Sequence, residues 1–189
     1  MVRFKNRYLL FEIIYSNTPL GWTSIPAATS TAKEVANLTD GPDQTPFGDT
    51  GRNQYRLPPL SNRDLVNAIK DSISENFGDY GAGLIGKHMI LKYFSSHTNI
   101  GIFRVARDDM HVLWGALTFI TVLNGNSCMI KVLHTAGTIS HCQLMSIQYD
   151  RDRILFLRRL AERQKDNQAY HEFGSALKTS VATLSTMDM

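Results

Sequence analysis

Residues 88–106 read HMILKYFSSHTNIGIFRVA, and the fold turns on how this stretch divides. HMILKYF (88–94) and IGIFRVA (100–106) are short runs rich in β-branched and aromatic residues, the composition of strands. The polar SSHTN (95–99) between them is five residues long, a hairpin connection and too short for a crossover. The middle of the chain is therefore a β-hairpin, and what flanks it sets the topology. Upstream, SNRDLVNAIKDSISENFG (61–78) reads as a helix. Ser61 and Asp64 supply a capping box, Leu65, Ile69 and Ile73 share one face, and Gly78 is a stop. Before that, residues 2–15 form a long first strand. Downstream, Asp108 and Asp109 place negative charge where a helix begins. Met110, Leu113, Trp114, Leu117 and Ile120 then recur at helical spacing, with Asn124-Gly125 as the end. SCMIKVLHTAGTI (127–139) is a last strand, and Ser140 with Gln143 caps a third helix reaching about Gln164, its final turns rich in arginine.

The order is β-α-β-β-α-β plus one helix, the split βαβ or ferredoxin-like α+β arrangement that RNA recognition motifs also use. It predicts a four-stranded antiparallel sheet with two helices on one face, the other face left for a ligand, an RNA or the extra helix. One domain over 1–165 is expected, interrupted by an insertion at 16–59 that holds all six prolines. Such a polar, Pro-rich segment buries too little apolar surface to offset its ordering entropy. The polar tail 166–189 is expected to be flexible and frayed.

Composition narrows the function classes. At 189 residues and 43% hydrophobic the chain has material for one core. Two cysteines, Cys128 and Cys142, make no disulfide framework and suit a reducing compartment. No run approaches the roughly 20 apolar residues of a membrane span, and no signal peptide is read at the N-terminus, so an intracellular protein without a membrane partner is expected. A net charge of +3 identifies no nucleic-acid binder. Its distribution says more, because the cations gather in residues 1–15 and 150–165.

The six histidines are scattered and form no legible Ser-His-Asp or Cys-His arrangement, and His141-Cys142 lacks the paired spacings of a zinc site. GDYGAGLIGK (78–87) is no phosphate-binding loop, since no Ser or Thr follows Lys87; it reads as a turn. Neither a catalytic residue nor a metal site is predicted. The stronger signal is cationic. Arg3, Lys5 and Arg7 alternate, so on a strand they share a face, spaced to follow a phosphate chain. Lys92, Arg104 and Arg107 add cations on or beside neighbouring strands. Tyr93, Phe94 and Phe103 would stack bases if they faced outward, but strand aromatics are more often core. Trp114 beside Gly115 and Ala116, with Leu113 and Leu117, marks a partner interface or plain helix packing.

Together, MVRFKNRYLLFEI (1–13), ENFGDYGAG (75–83), LKYFSSHTNIGIFRVARDD (91–109) and AGTIS (136–140) resemble the Pop-five family of small protein subunits of ribonuclease P and ribonuclease MRP. The likeness covers residues 1–15 and about 60–160, and nothing is carried over to the insertion or the tail. It implies a fold of the kind derived above and a non-catalytic subunit that binds and stabilises a catalytic RNA. That RNA, with bound magnesium, would make the 5′ end of precursor tRNA, which the subunit meets indirectly, and in the sister particle would cut precursor rRNA. It further implies a TIM-barrel protein partner, other particle proteins, no cofactor on this chain, and residence in the nucleus, at the nucleolus. The alternatives are a stand-alone RRM-like binder of single-stranded RNA, against which the sparse aromatics of IGIFRVA argue, and a structural or small-molecule-binding ferredoxin-like module.

Overall fold

The computed structural model describes residues 5–16, 60–86, 88–163 and 167–186. The expected insertion, beyond Ser16, and Arg3 lie outside them. The elements are β1 (Asn6–Tyr15), α1 (Asn62–Ile85), β2 (Ile90–Ser95), β3 (Ile100–Ala106), α2 (Met110–Phe119), β4 (Val122–Leu123), β5 (Asn126–Ala136), α3 (Ile139–Arg163) and α4 (Asn167–Thr186). The fold is α+β, built on a five-stranded antiparallel sheet in the order β2-β3-β1-β5-β4.

β1 lies between β3 and β5 and is buried from Leu9 to Tyr15. Its two faces serve two cores. Leu9, Phe11, Ile13 and Tyr15 join Leu65, Ile69 and Ile73 of α1 and Leu113, Ala116 and Leu117 of α2. Leu10 joins Tyr93, Ile100, Ile102, Cys142 of α3 and Leu184 of α4. Close approaches fix both layers. Phe11 stacks on Phe103 with ring centroids 5.0 Å apart, and Gly101, opposite Phe11, leaves room for its ring: a Cβ there would lie 2.5 Å from Phe11 Cζ. In the helical layer the Ser72 hydroxyl donates to the Ala116 carbonyl at 3.0 Å, and a Cβ on Gly115 would meet Phe77 at 2.9 Å.

Four expectations are corrected. The sheet has five strands, not four: α2 ends at Phe119, Ile120 is extended, and Asn124-Gly125 turns the β4–β5 hairpin. Both turn residues have positive φ, 49° and 77°, which a two-residue hairpin turn needs and Asn-Gly tolerates. Gly78, with positive φ of 62°, does interrupt the first helical run, but DYGAGLI (79–85) is a second helical run across that kink and not the expected turn. Of the occupants expected for the second sheet face, the extra helix, α3, takes it, together with α4. The tail forms α4, whose Phe173, Ala176, Ser180 and Leu184 are buried. Gln143 does not cap α3; buried, its Nε2 donates to the Leu184 carbonyl at 2.9 Å and ties α4 down.

Candidate nucleic-acid interface

The sheet has one end at which β1 starts while β3 and β5 finish. Lys5 and Arg7 stand there on the α1–α2 face of β1, in line with Leu9 and Phe11. Arg107 joins them, its N–H donating to the Lys5 carbonyl at 2.9 Å. The Arg7 guanidinium lies over Gly137, at the turn from β5 into α3, where a Cβ would sit 3.0 Å from Nη1. Lys5 and Arg107 are exposed and Arg7 is half-buried. Among the described residues none of the three forms an ion pair with a carboxylate. Cations held by ladder pairing and left unpaired keep their charge for an external anion, and backbone rigidity lowers the entropy cost of contact.

The other sequence-predicted cations do not join this group. Arg104 pairs with Tyr8 of β1 and Ile90 of β2, and the strand alternation turns it to the α3–α4 face. Lys92 occupies the bulge between Leu91 and Tyr93 on the outer strand β2, beside a groove against α4. Arg153, counted in the sequence among the basic final turns of α3, points inward. It meets Glu12 of β1 at 3.0 Å, with both side chains buried. Burial pushes the Glu12 carboxyl up, while Arg153 and Lys131 pull it back towards the ionised form.

Tyr93 and Phe103 are buried and Phe94 is partly buried against the core, so among the described residues the sheet offers no aromatic stacking platform. The Tyr93 hydroxyl donates to Asp150 Oδ2 at 2.8 Å, and Thr98 Oγ1 donates to Oδ1 at 2.5 Å. Burial raises the Asp150 carboxyl, and these donors, with Ser180, oppose it. The network joins the β2–β3 turn to α3 and α4. Nothing in the local spacing of the sequence points to it.

The predicted partner interface is also redistributed. Leu113 and Leu117 are fully buried core residues, whereas Trp114 is 40% exposed. Tyr80 and Phe119, at 78% and 57%, are the more exposed apolar residues of this helical layer. The helical period holds the signal: if 113, 117 and 120 face the core, 114 and 119 lie off it. Cys142 is buried and His141 is exposed. The described residues contain no group of three or more metal-ligating side chains, and none of their helices is long and apolar enough to cross a membrane.

The chain is similar to known proteins. The model of the Rpp14/Pop5 family matches residues 7–147. The ribonuclease P/MRP protein subunit POP5 of Schizosaccharomyces pombe is 32% identical over 154 residues, covering 82% of this chain and 91% of that one. The human subunit of the same name is 29% identical over 161 residues, with 83% and 77% covered. That of Saccharomyces cerevisiae is 28% identical over 151 residues, with 78% and 76% covered. With a family match over most of its length, and a relative of this identity that it spans almost end to end, the chain belongs to the Rpp14/Pop5 family.

Proposed function

We propose that this chain is a non-catalytic protein subunit of ribonuclease P and ribonuclease MRP, which binds and stabilises their RNA through the cationic end of its sheet. The endonuclease activity belongs to the complex. The RNA and the magnesium it binds supply the chemistry of precursor tRNA 5′ maturation and of precursor rRNA processing. This chain supplies fixed positive charge. Lys5, Arg7 and Arg107, unpaired among the described residues at the end of a sheet whose central strand is buried from Leu9 to Tyr15, are the observation that carries the RNA contact. Each phosphate they neutralise releases condensed counterions, so binding weakens with salt.

The finer parts of this reading are a ferredoxin-like core, supported by the strand order β2-β3-β1-β5, and a nuclear, nucleolar site of action. The exposed Trp114, Tyr80 and Phe119 supply apolar surface for the TIM-barrel protein of the particle. The stand-alone RRM-like alternative is disfavoured because α3 and α4 cover the sheet face such a module uses to stack bases.

Purifying the tagged full chain from cells and sequencing the associated RNA tests the proposal. One or two abundant structured RNAs, together with precursor tRNA 5′-cleavage by the purified complex, are the expected result. A heterogeneous RNA pool without cleavage, or no RNA, would overturn it.

A further inference from the structure

β2 is the outermost strand of the sheet: one of its sides pairs with β3, and among the described residues no strand pairs with the other. Beside this edge runs a groove of about 450 Å³, within the size range of built binding sites. Its opposite wall is α4, through Ser175, Thr179 and Thr183. Their hydroxyl protons are committed. Ser175 donates to the Glu172 carbonyl at 2.8 Å, Thr179 to Ser175 at 3.1 Å and Thr183 to Thr179 at 2.8 Å. What these hydroxyls offer outward is oxygen lone pairs, which accept. On the other wall stand the exposed Lys92 and His97, and among the described residues no carboxylate lines the groove.

We propose that this groove takes an extended segment of a partner protein, which adds to the free edge of β2 as a further strand and sets an acidic side chain against Lys92. An added strand presents backbone N–H and C=O groups along both of its edges. One edge completes the β2 ladder, and the N–H groups of the other meet the hydroxyl oxygens of α4. A nucleic-acid strand fits less well, because a phosphate chain calls for a run of cationic side chains and, among the described residues, Lys92 is the one lysine or arginine that lines this groove. The bulge at Lys92 twists the edge and limits unspecific strand pairing, so that the pairing is selective. This site is separate from the Lys5, Arg7 and Arg107 end of the sheet and does not depend on what binds there.

The test places photoreactive benzoylphenylalanine at Ser96 in the full-length tagged chain, irradiates cells, and maps the adduct by mass spectrometry, with co-purified RNA measured in parallel. The expected adduct joins one protein through a single extended segment that contains a carboxylate. Its yield falls about tenfold, the scale of a broken charge pair at a rim, in Lys92→Glu and in Thr179→Trp, which fills the groove. Both positions are exposed, so the unfolding transition stays unchanged, and the co-purified RNA is retained. An adduct with RNA, with a second copy or another part of this chain, or with no protein would overturn the proposal, as would a yield unchanged in both folded variants. Loss of co-purified RNA from the parent chain would instead count against the role as a ribonucleoprotein subunit.

Discussion

Glu12 sits in the middle of β1 with apolar residues before and after it in the chain, and it is buried with them. Arg153 makes this tolerable. Two charges leave water together, and their attraction at 3.0 Å offsets a desolvation cost that neither would survive alone. Removing one partner strands the other. Arg153→Met should therefore destabilise the fold by about 3–5 kcal/mol, whereas Glu12→Leu/Arg153→Met should recover most of that loss in urea denaturation. A double variant as unstable as the sum of the two singles would refute the coupling. Nothing local in the sequence separates Arg153 from the exposed Arg151 and Arg159 around it; only the packing of α3 on β1 does. The cysteines make a second residue-scale case. Burial pushes the Cys128 thiol up to about 11 and the Cys142 thiol up to about 12, from an ordinary value of 9.0. Above pH 9 the unfolded chain loses these protons while the folded chain keeps them. The stabilisation they provide is thus complete below pH 9 and declines as pH rises towards 11 and 12. Denaturation midpoints measured across that window should fall in the parent and fall less in Cys128→Ala/Cys142→Ala; parallel declines would contradict the assignment.

Among the elements, β1, β2, β3 and β5 are legible in the sequence as runs rich in β-branched and aromatic residues, and α1 and α2 by an apolar stripe of spacing three and four. The hairpin β4–β5 is not, although Asn-Gly is a strong turn signal. The stripe of α2 runs on through Ile120 and draws Asn124-Gly125 into the role of a helix end. α4 is hidden for another reason. Its Ser- and Thr-rich composition has weak helix propensity, and the helix stands because Leu184 is fully buried in the second core and Gln143 holds its carbonyl. Packing, not propensity, makes this element. Leu184→Ala should accordingly cost about 2–5 kcal/mol of stability, the range for a buried leucine, and should raise hydrogen exchange along α4 before that of β1. A variant with parent stability and parent exchange would show that α4 is not held in this way.

For the molecule as a whole, a sheet covered on both faces leaves its ends and outer edges for recognition. The alternation of Arg3, Lys5 and Arg7 already marks the end of β1 in the sequence. Which cations join them is not readable there, because it depends on register: Arg107 falls opposite Lys5, while Arg104, three residues earlier, turns to the other face. Leu113 and Leu117 show the same limit, since a helical stripe declares that one face is buried but not against what. Whether the β1 end grips RNA phosphates is decided by the salt dependence of RNA binding. Binding of the full-length chain to ribonuclease P RNA is measured across a salt series for the parent and for Lys5→Ala/Arg7→Ala/Arg107→Ala, with folding checked by thermal unfolding. Weaker binding is expected, with a slope of log K against log salt that is shallower by about 2–3, since each neutralised phosphate accounts for about 0.7–0.9 of the slope. A folded triple variant with the parent's affinity and the parent's slope would mean that these cations do not hold the RNA.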